Sequence, residues 1–295
     1  MQEIKKVGVL GGGLMGSGIA QVSAAAGFPT TVREVSDALC AKARQSIEKS
    51  LAKGIERGKT TEAERDSTLQ KLRFVTDLKE LADCDLFIEA VVEDLAVKNA
   101  LWSQLNGIAR PDAIFASNTS SLTIIAMATA SGRPDRMLGL HFFNPVPSMK
   151  LVEVVRTITT SEETEQRAIE FVRELGKEPI RAKDSSGFVV NLLLIPYMLD
   201  AINALESSVA SVEDIDKGMQ LGAGHPMGPF TLLDFVGLDT AYKIAEIMFA
   251  EYRDQRYAPP PLLKRMVLAG MLGKKSGKGF YDYSVNPPRV SSLGL

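Results

Sequence analysis

Histidine, cysteine and tryptophan are nearly missing from this chain, whose 295 residues hold two, two and one of them. Cys40 and Cys84 are too few and too dispersed for a disulfide framework or a CxxC metal or redox motif, which suits a reducing compartment. Neither sign of charge is in excess. With 34 basic and 36 acidic side chains the formal net charge is −2, so nothing attracts nucleic acid in general and an anionic ligand must be met by local clusters. No run approaches the ~20 apolar residues of a membrane span, and no signal or transit peptide is recognisable. The expectation is a cytoplasmic protein without nucleic-acid or membrane partners. What is present is a globular composition, 45% hydrophobic and 24% charged. The length suits two domains, at roughly 100 to 200 residues each.

Residues 6–10 (KVGVL) read as a short buried strand, 11–16 as a turn, 17–26 as a helix rich in small residues and 30–35 as a second strand. That is a βαβ unit of the size a parallel crossover requires. Residues 36–57 and 61–70 have helical periodicity and suggest a helical hairpin outside the sheet. Apolar runs at 72–75, 85–91, 113–116, 137–142, 151–155 and 178–182 mark further strands with helical patterns between most of them, the mark of an α/β domain. After KDSSG at 183–187 only helices are predicted: 188–207, 211–221, 230–235, 240–252 and 261–269. The expected organisation is a doubly wound α/β domain over 1–183, with a helical insertion over about 36–70, and an all-helical domain over 184–295.

Gly11, Gly13 and Gly16 form G-x-G-x-x-G between the first strand and its helix, the context in which this fingerprint cradles a dinucleotide. The first glycine permits the turn, the second lets backbone approach a pyrophosphate, the third lets helix and strand pack closely, and the helix N-terminus supplies N–H donors. Leu14 and Met15 lie inside the same turn. Glu34, at the end of the second strand, is placed to hold ribose hydroxyls and repel a 2′-phosphate, favouring NAD over NADP. Arg33 beside it is the kind of residue that pairs with that phosphate, but neighbours on a strand face opposite sides.

His141 and His225 are the only candidates for a proton carrier near neutral pH. His141 ends a strand in GLHFFNP, where doubly wound sheets place ligands, and an imidazole suits removal of a hydroxyl proton as hydride leaves the same carbon. Glu153, in KLVEV, is a candidate orienting partner. The ASNTSSL segment at 116–122 offers hydroxyl and amide groups that can bond a substrate oxygen or the nicotinamide, or merely cap a helix. Asn191 is either a polar donor from the helical domain or an internal helix residue, and His225, among turn formers, reads as structural.

Together the motifs resemble the 3-hydroxyacyl-CoA dehydrogenase family, closest to its short-chain 3-hydroxybutyryl-CoA members. The resemblance covers nearly the whole chain through GGGLMGSGIAQ, EAVVEDLAVK, ASNTSSL, GLHFFNPVPSMKLVEVV, GFVVN, GHPMGPFTLLDFVGLD and KKSGKGFYDY, in the family's order. It implies an NAD-binding domain, a helical domain that forms a homodimer contact, and an (S)-3-hydroxyacyl-CoA or 3-ketoacyl-CoA substrate, with no metal. By matching positions it implies that His141 is the base and Glu153 its partner. Ser120 and Asn191 would bind and polarise the substrate. Glu93, Lys98, Ser120, Asn144 and Lys275 would contact NAD, and Ser50 and Arg57 would lie near coenzyme A. The Lys42, Arg44, Lys49, Lys53 and Arg57 face is either a receiver of coenzyme A phosphates or a solvated helix face. The chain departs from the family pattern at Glu34, usually aspartate, at Ser186, often proline, and at Leu192, often arginine. It has no room for a fused enoyl-CoA hydratase module, so a stand-alone dehydrogenase is expected. Two rivals stand beside this reading: a dehydrogenase of a free hydroxyacid such as a sugar acid, and a non-catalytic NAD-binding structural protein on the same fold, as lens crystallins of this family are.

Overall fold

The computed structural model describes residues 3–293 and separates into two compact units, one ending at Phe188 and one starting at Val189. Short strands organise the first unit. They are β1 (Val7–Leu10), β2 (Thr30–Arg33), β3 (Leu72–Val75), β4 (Leu86–Glu89), β5 (Ile114–Ser117) and β6 (Met137–Phe142). All six are parallel, in the order β3-β2-β1-β4-β5-β6. Beyond them β7 (Leu151–Arg156) runs antiparallel to β6, and β8 (Glu178–Lys183) pairs parallel with β7.

Every residue of β1, β4, β5 and β6 is buried, because helices cover both faces of a sheet of this kind. Val9, Ile88, Ala116 and Leu140 face one core, which α1 (Leu14–Ala25) and α6 (Glu162–Glu174) close with Ile19, Ala168 and Val172. Phe87 and Phe115 face the other, closed by Leu101 and Trp102 of α4 (Leu95–Asn106) and Met127 of α5 (Ile124–Ala130). The expected helical hairpin is α2 (Asp37–Glu56) and α3 (Glu62–Gln70). α2 buries Cys40, Ala43, Ile47 and Leu51, one stripe at helical spacing, and exposes its basic residues.

Two expectations about boundaries need correcting. The first helix begins at Leu14 rather than Ser17, so half of the glycine turn is already helix, with Gly13 as its N-cap. The segment after Lys183 stays with the first unit through Phe188. Its carboxylate holds it there: Asp184 accepts from the Ile124 and Ile125 amides at 2.8 and 2.7 Å, capping α5, and the Ser186 hydroxyl donates to the Ser121 carbonyl at 3.0 Å.

The second unit packs α7 (Val190–Glu206), α8 (Val212–Ala223), α9 (Pro229–Val236), α10 (Leu238–Tyr252) and α11 (Pro261–Leu268) around Phe230, Leu263 and Phe280. It is not helical throughout. β9 (Tyr281–Asp282) and β10 (Arg289–Val290) form an antiparallel ribbon, because buried Asp234 accepts from the Phe280 and Tyr281 amides at 2.9 and 2.8 Å. Asp216 accepts from the Phe230 and Thr231 amides at 2.7 and 3.0 Å, capping α9, and from the Tyr281 hydroxyl at 3.0 Å. No helix among the described residues is long and apolar enough to cross a membrane.

Candidate active site

The glycine fingerprint makes a close-packed, polar-ended turn. A Cβ on Gly16 would run into the Gly11 carbonyl oxygen, whereas one on Gly13 would meet nothing within 4 Å. Gly16 therefore serves packing, and Gly13 leaves space outside the turn. α1 has no side-chain cap and no acidic residue in its first turn, so its leading N–H groups and positive end are available to a pyrophosphate. Glu34 follows β2 and accepts from the Gly12 amide at 2.6 Å, which fixes its carboxylate at the turn where the fingerprint requires an acid. Arg33 is turned elsewhere, donating from Nε to the Thr76 carbonyl at 3.1 Å. These features fit a dinucleotide with an unmodified ribose.

Along the sheet from this turn, the two buried strands β4 and β5 end in polar residues, Glu89 and Ser117. Leu10 of β1 pairs with Glu89 of β4, Glu89 with Ser117 of β5, and Ser117 with Gly139 of β6. The chain beyond β4 crosses close to the glycine turn, since a Cβ on Gly11 would meet the Ala90 carbonyl and the Val91 side chain. Lys98, of the sort expected to be exposed, is 1% accessible and pairs with Glu89 at 2.5 Å and Glu93 at 3.1 Å. The Glu93 carboxylate also accepts from the hydroxyls of Thr119 and Ser121. Burial pushes the Glu93 carboxyl up, but the Lys98 ammonium and the bonds from Thr119, Lys98 and the Ser120 backbone outweigh it and hold the group below its ordinary value. Glu93, Lys98 and Ser120, expected at the cofactor, are thus brought together.

His141 lies near the end of β6, and the antiparallel register sets it opposite Glu153 of β7. Their Nδ1 and Oε2 are 2.6 Å apart, with His141 6% exposed and Glu153 fully buried. With Glu153 as a carboxylate, which only accepts, Nδ1 is the donor of this contact and Nε2 is the ring nitrogen left to face a substrate. The rings of Phe143 and Phe188 flank the imidazole at 4.5 and 5.6 Å between centroids. Asn118 is not among the residues singled out from the sequence, yet its Oδ1 accepts from the Phe142 amide at 2.9 Å, tying the end of β5 to the strand that bears the histidine. Its place in ASNTSSL is the available signal.

Other predicted site residues are more scattered. Asn144 is exposed just after β6, Ser50 is half-buried on α2, and Arg57 is exposed as that helix's C-cap. Asn191 and Lys275 belong to the second unit, Asn191 in the first turn of α7 and Lys275 on the surface, where its ammonium donates to Asp239 at 2.7 Å. His225 is bonded through Nδ1 to the Tyr197 hydroxyl at 3.1 Å, in keeping with a structural part. An apolar cavity of about 550 Å³ lies beside it, lined by Val190, Leu193, Tyr197, Met227 and Leu232.

Comparison with known proteins supports the same chemistry. Residues 6–185 match the family model for the NAD binding domain of 3-hydroxyacyl-CoA dehydrogenase, and residues 187–283 match that family's C-terminal domain. A 3-hydroxybutyryl-CoA dehydrogenase of Mycobacterium tuberculosis is 54% identical over 282 residues, covering 95% of this chain and 99% of that protein. The crystal structure of M. tuberculosis FadB2 superposes with a TM-score of 0.94 at 54% identity, over 96% of this chain and all of that one. The (S)-3-hydroxybutyryl-CoA dehydrogenase PaaH1 from Ralstonia eutropha gives 0.92 at 42% identity, with 96% and 100% covered.

Proposed function

The chain belongs to the 3-hydroxyacyl-CoA dehydrogenase family of NAD-dependent oxidoreductases, and we propose that it interconverts (S)-3-hydroxybutyryl-CoA and acetoacetyl-CoA. NAD, when bound, supplies the acceptor for the hydrogen leaving C3 of the substrate, and its reduced form the donor for the reverse direction. The glycine turn with Gly11, Gly13, Leu14, Met15 and Gly16 would hold its pyrophosphate and Glu34 its ribose. Glu93, Lys98, Ser120, Asn144 and Lys275 would contact the remainder.

His141 Nε2 takes the C3 hydroxyl proton on oxidation and returns it on reduction. Glu153 keeps the imidazole in the productive tautomer and stabilises the imidazolium. Ser120 and Asn191 bond the C3 oxygen, where negative charge develops on reduction. Ser50 and Arg57 bind coenzyme A, a remote handle whose binding energy orients the reacting end. The observation that carries this reading is the buried 2.6 Å contact between His141 and Glu153 at the end of β6.

The substrate is tested by following NADH and NADPH oxidation with acetoacetyl-CoA beside free acetoacetate. Turnover of the thioester with NADH, at least roughly 10²-fold more efficient than with the free acid, is the expected result, because the acid lacks the handle. Equal efficiency on the free acid would place the chain among dehydrogenases of unesterified hydroxyacids. We also propose a cytoplasmic homodimer joined through the second unit. Exposed Leu193, Leu221 and Phe235 on α7, α8 and α9 support that contact. Sedimentation equilibrium is expected to give twice 31.9 kDa. A mass of one chain at micromolar concentration would contradict the dimer.

A further inference from the structure

Glu89 has no part in the roles assigned above, yet it is the most enclosed charged group of the first unit's polar row. It is fully buried at the end of β4 and accepts three bonds: from Lys98 Nζ at 2.5 Å, Ser117 Oγ at 2.6 Å and the Val91 amide at 2.8 Å. Lys98 also reaches Glu93, so two carboxylates share one ammonium. Among the described residues Lys98 is the ion-pair partner of both, and the group of three carries one more negative charge than positive. A buried ion pair adds little to stability compared with apolar residues of the same size, so an extra buried carboxylate calls for another reason.

Its place in the sheet supplies one. The pyrophosphate turn follows β1 and the candidate base lies one residue before the end of β6, and the strand order between them is β1-β4-β5-β6. Three strand spacings of about 4.8 Å separate the two. A dinucleotide that reaches from the turn to His141 must pass the ends of β4 and β5, where Glu89, Lys98 and Glu93 lie. We propose that Glu89 is a positioning residue for the cofactor: it anchors Lys98 and Glu93, and its charge leaves the cluster net negative, which favours the cationic nicotinamide of NAD⁺ over the neutral ring of NADH. The inference rests on the NAD reading of this site.

The test is a charge series read by binding rather than by turnover, with dissociation constants for NAD⁺ and NADH measured by calorimetry and by NADH fluorescence. The cluster carries −1 in the wild type, zero in Glu89→Gln, −2 in Lys98→Met and −1 again in the Glu89→Gln/Lys98→Met pair. The ratio Kd(NAD⁺)/Kd(NADH) is expected to rise roughly tenfold in Glu89→Gln, to fall by a similar factor in Lys98→Met, and to return to within about threefold of wild type in the double variant. Tenfold is the size Coulomb's law gives for one unit charge at about 12 Å through an effective dielectric of about 20. Any change that weakens both cofactor forms equally cancels in the ratio. If Glu89→Gln does not fold, Lys98→Met and the double variant carry the same comparison. A ratio that ignores the charge series, or a double variant displaced as far as Glu89→Gln, would overturn the proposal. Turnover of acetoacetyl-CoA by the wild type is measured in parallel. Its failure would refute the substrate reading and leave the binding series standing on its own.

Discussion

His141 and Glu153 are twelve positions apart and meet because β6 and β7 are antiparallel neighbours whose register sets them face to face. Each is legible in the sequence as a residue. The contact itself is not, because spacing does not reveal which strands pair or in which direction. Glu34 is legible for the same reason as the glycines, a fixed distance along a βαβ unit, and it does reach the turn, through the Gly12 amide. Ser117 and Asn118 are legible only as members of the ASNTSSL segment, and Glu89 and the burial of Lys98 escape a reading of the sequence. Charged residues are exposed by default, so burying one requires a partner that only the folded sheet brings near. If Glu153 acts by orienting and charge-stabilising the imidazole, Glu153→Gln, which keeps shape but not charge, should lower kcat roughly 10²- to 10⁴-fold. NADH affinity, from fluorescence titration, should stay within about threefold of wild type. A kcat within threefold of wild type would mean that the carboxylate serves the fold alone.

At the scale of elements, the strands are readable because burial on both faces leaves near-continuous apolar runs, as in VGVL, LFIE and MLGLHF. Three expected strands, 6–10, 30–35 and 85–91, run one to three residues long, since residues just outside the ladder carry no mark that separates them from those within it. The early start of α1 is hidden by its glycines, which read as turn although Gly16 lies within the helix. The β9 and β10 ribbon is hidden by its brevity and depends on Asp234, a distant residue. The glycine turn makes a sharp demand: a methyl group on Gly16 has no room against the Gly11 carbonyl. Gly16→Ala should therefore push α1 away from β1, costing on the order of 1–3 kcal/mol of stability in urea unfolding. It should also weaken NAD binding at least tenfold by calorimetry. A variant with wild-type stability and affinity would show that the turn tolerates a side chain and that its glycines are not set by packing.

For the whole molecule, length and the change of pattern after β8 point to two units, and two units are found, with the division five residues later than expected. The delay comes from the Asp184 and Ser186 bonds to the loop and helix after β5, and nothing local in KDSSG announces them. The family model breaks at nearly the same place, between residues 185 and 187. What the whole chain is proposed to do turns on one imidazole. The most direct measurement is single-turnover reduction of saturating acetoacetyl-CoA by NADH in wild type and His141→Gln, with NADH binding recorded in the same samples. The account predicts a rate lower by roughly 10²-fold or more in the variant, with NADH still bound. A variant that binds NADH and reduces the thioester at the wild-type rate would remove His141 from the chemistry and contradict the mechanism.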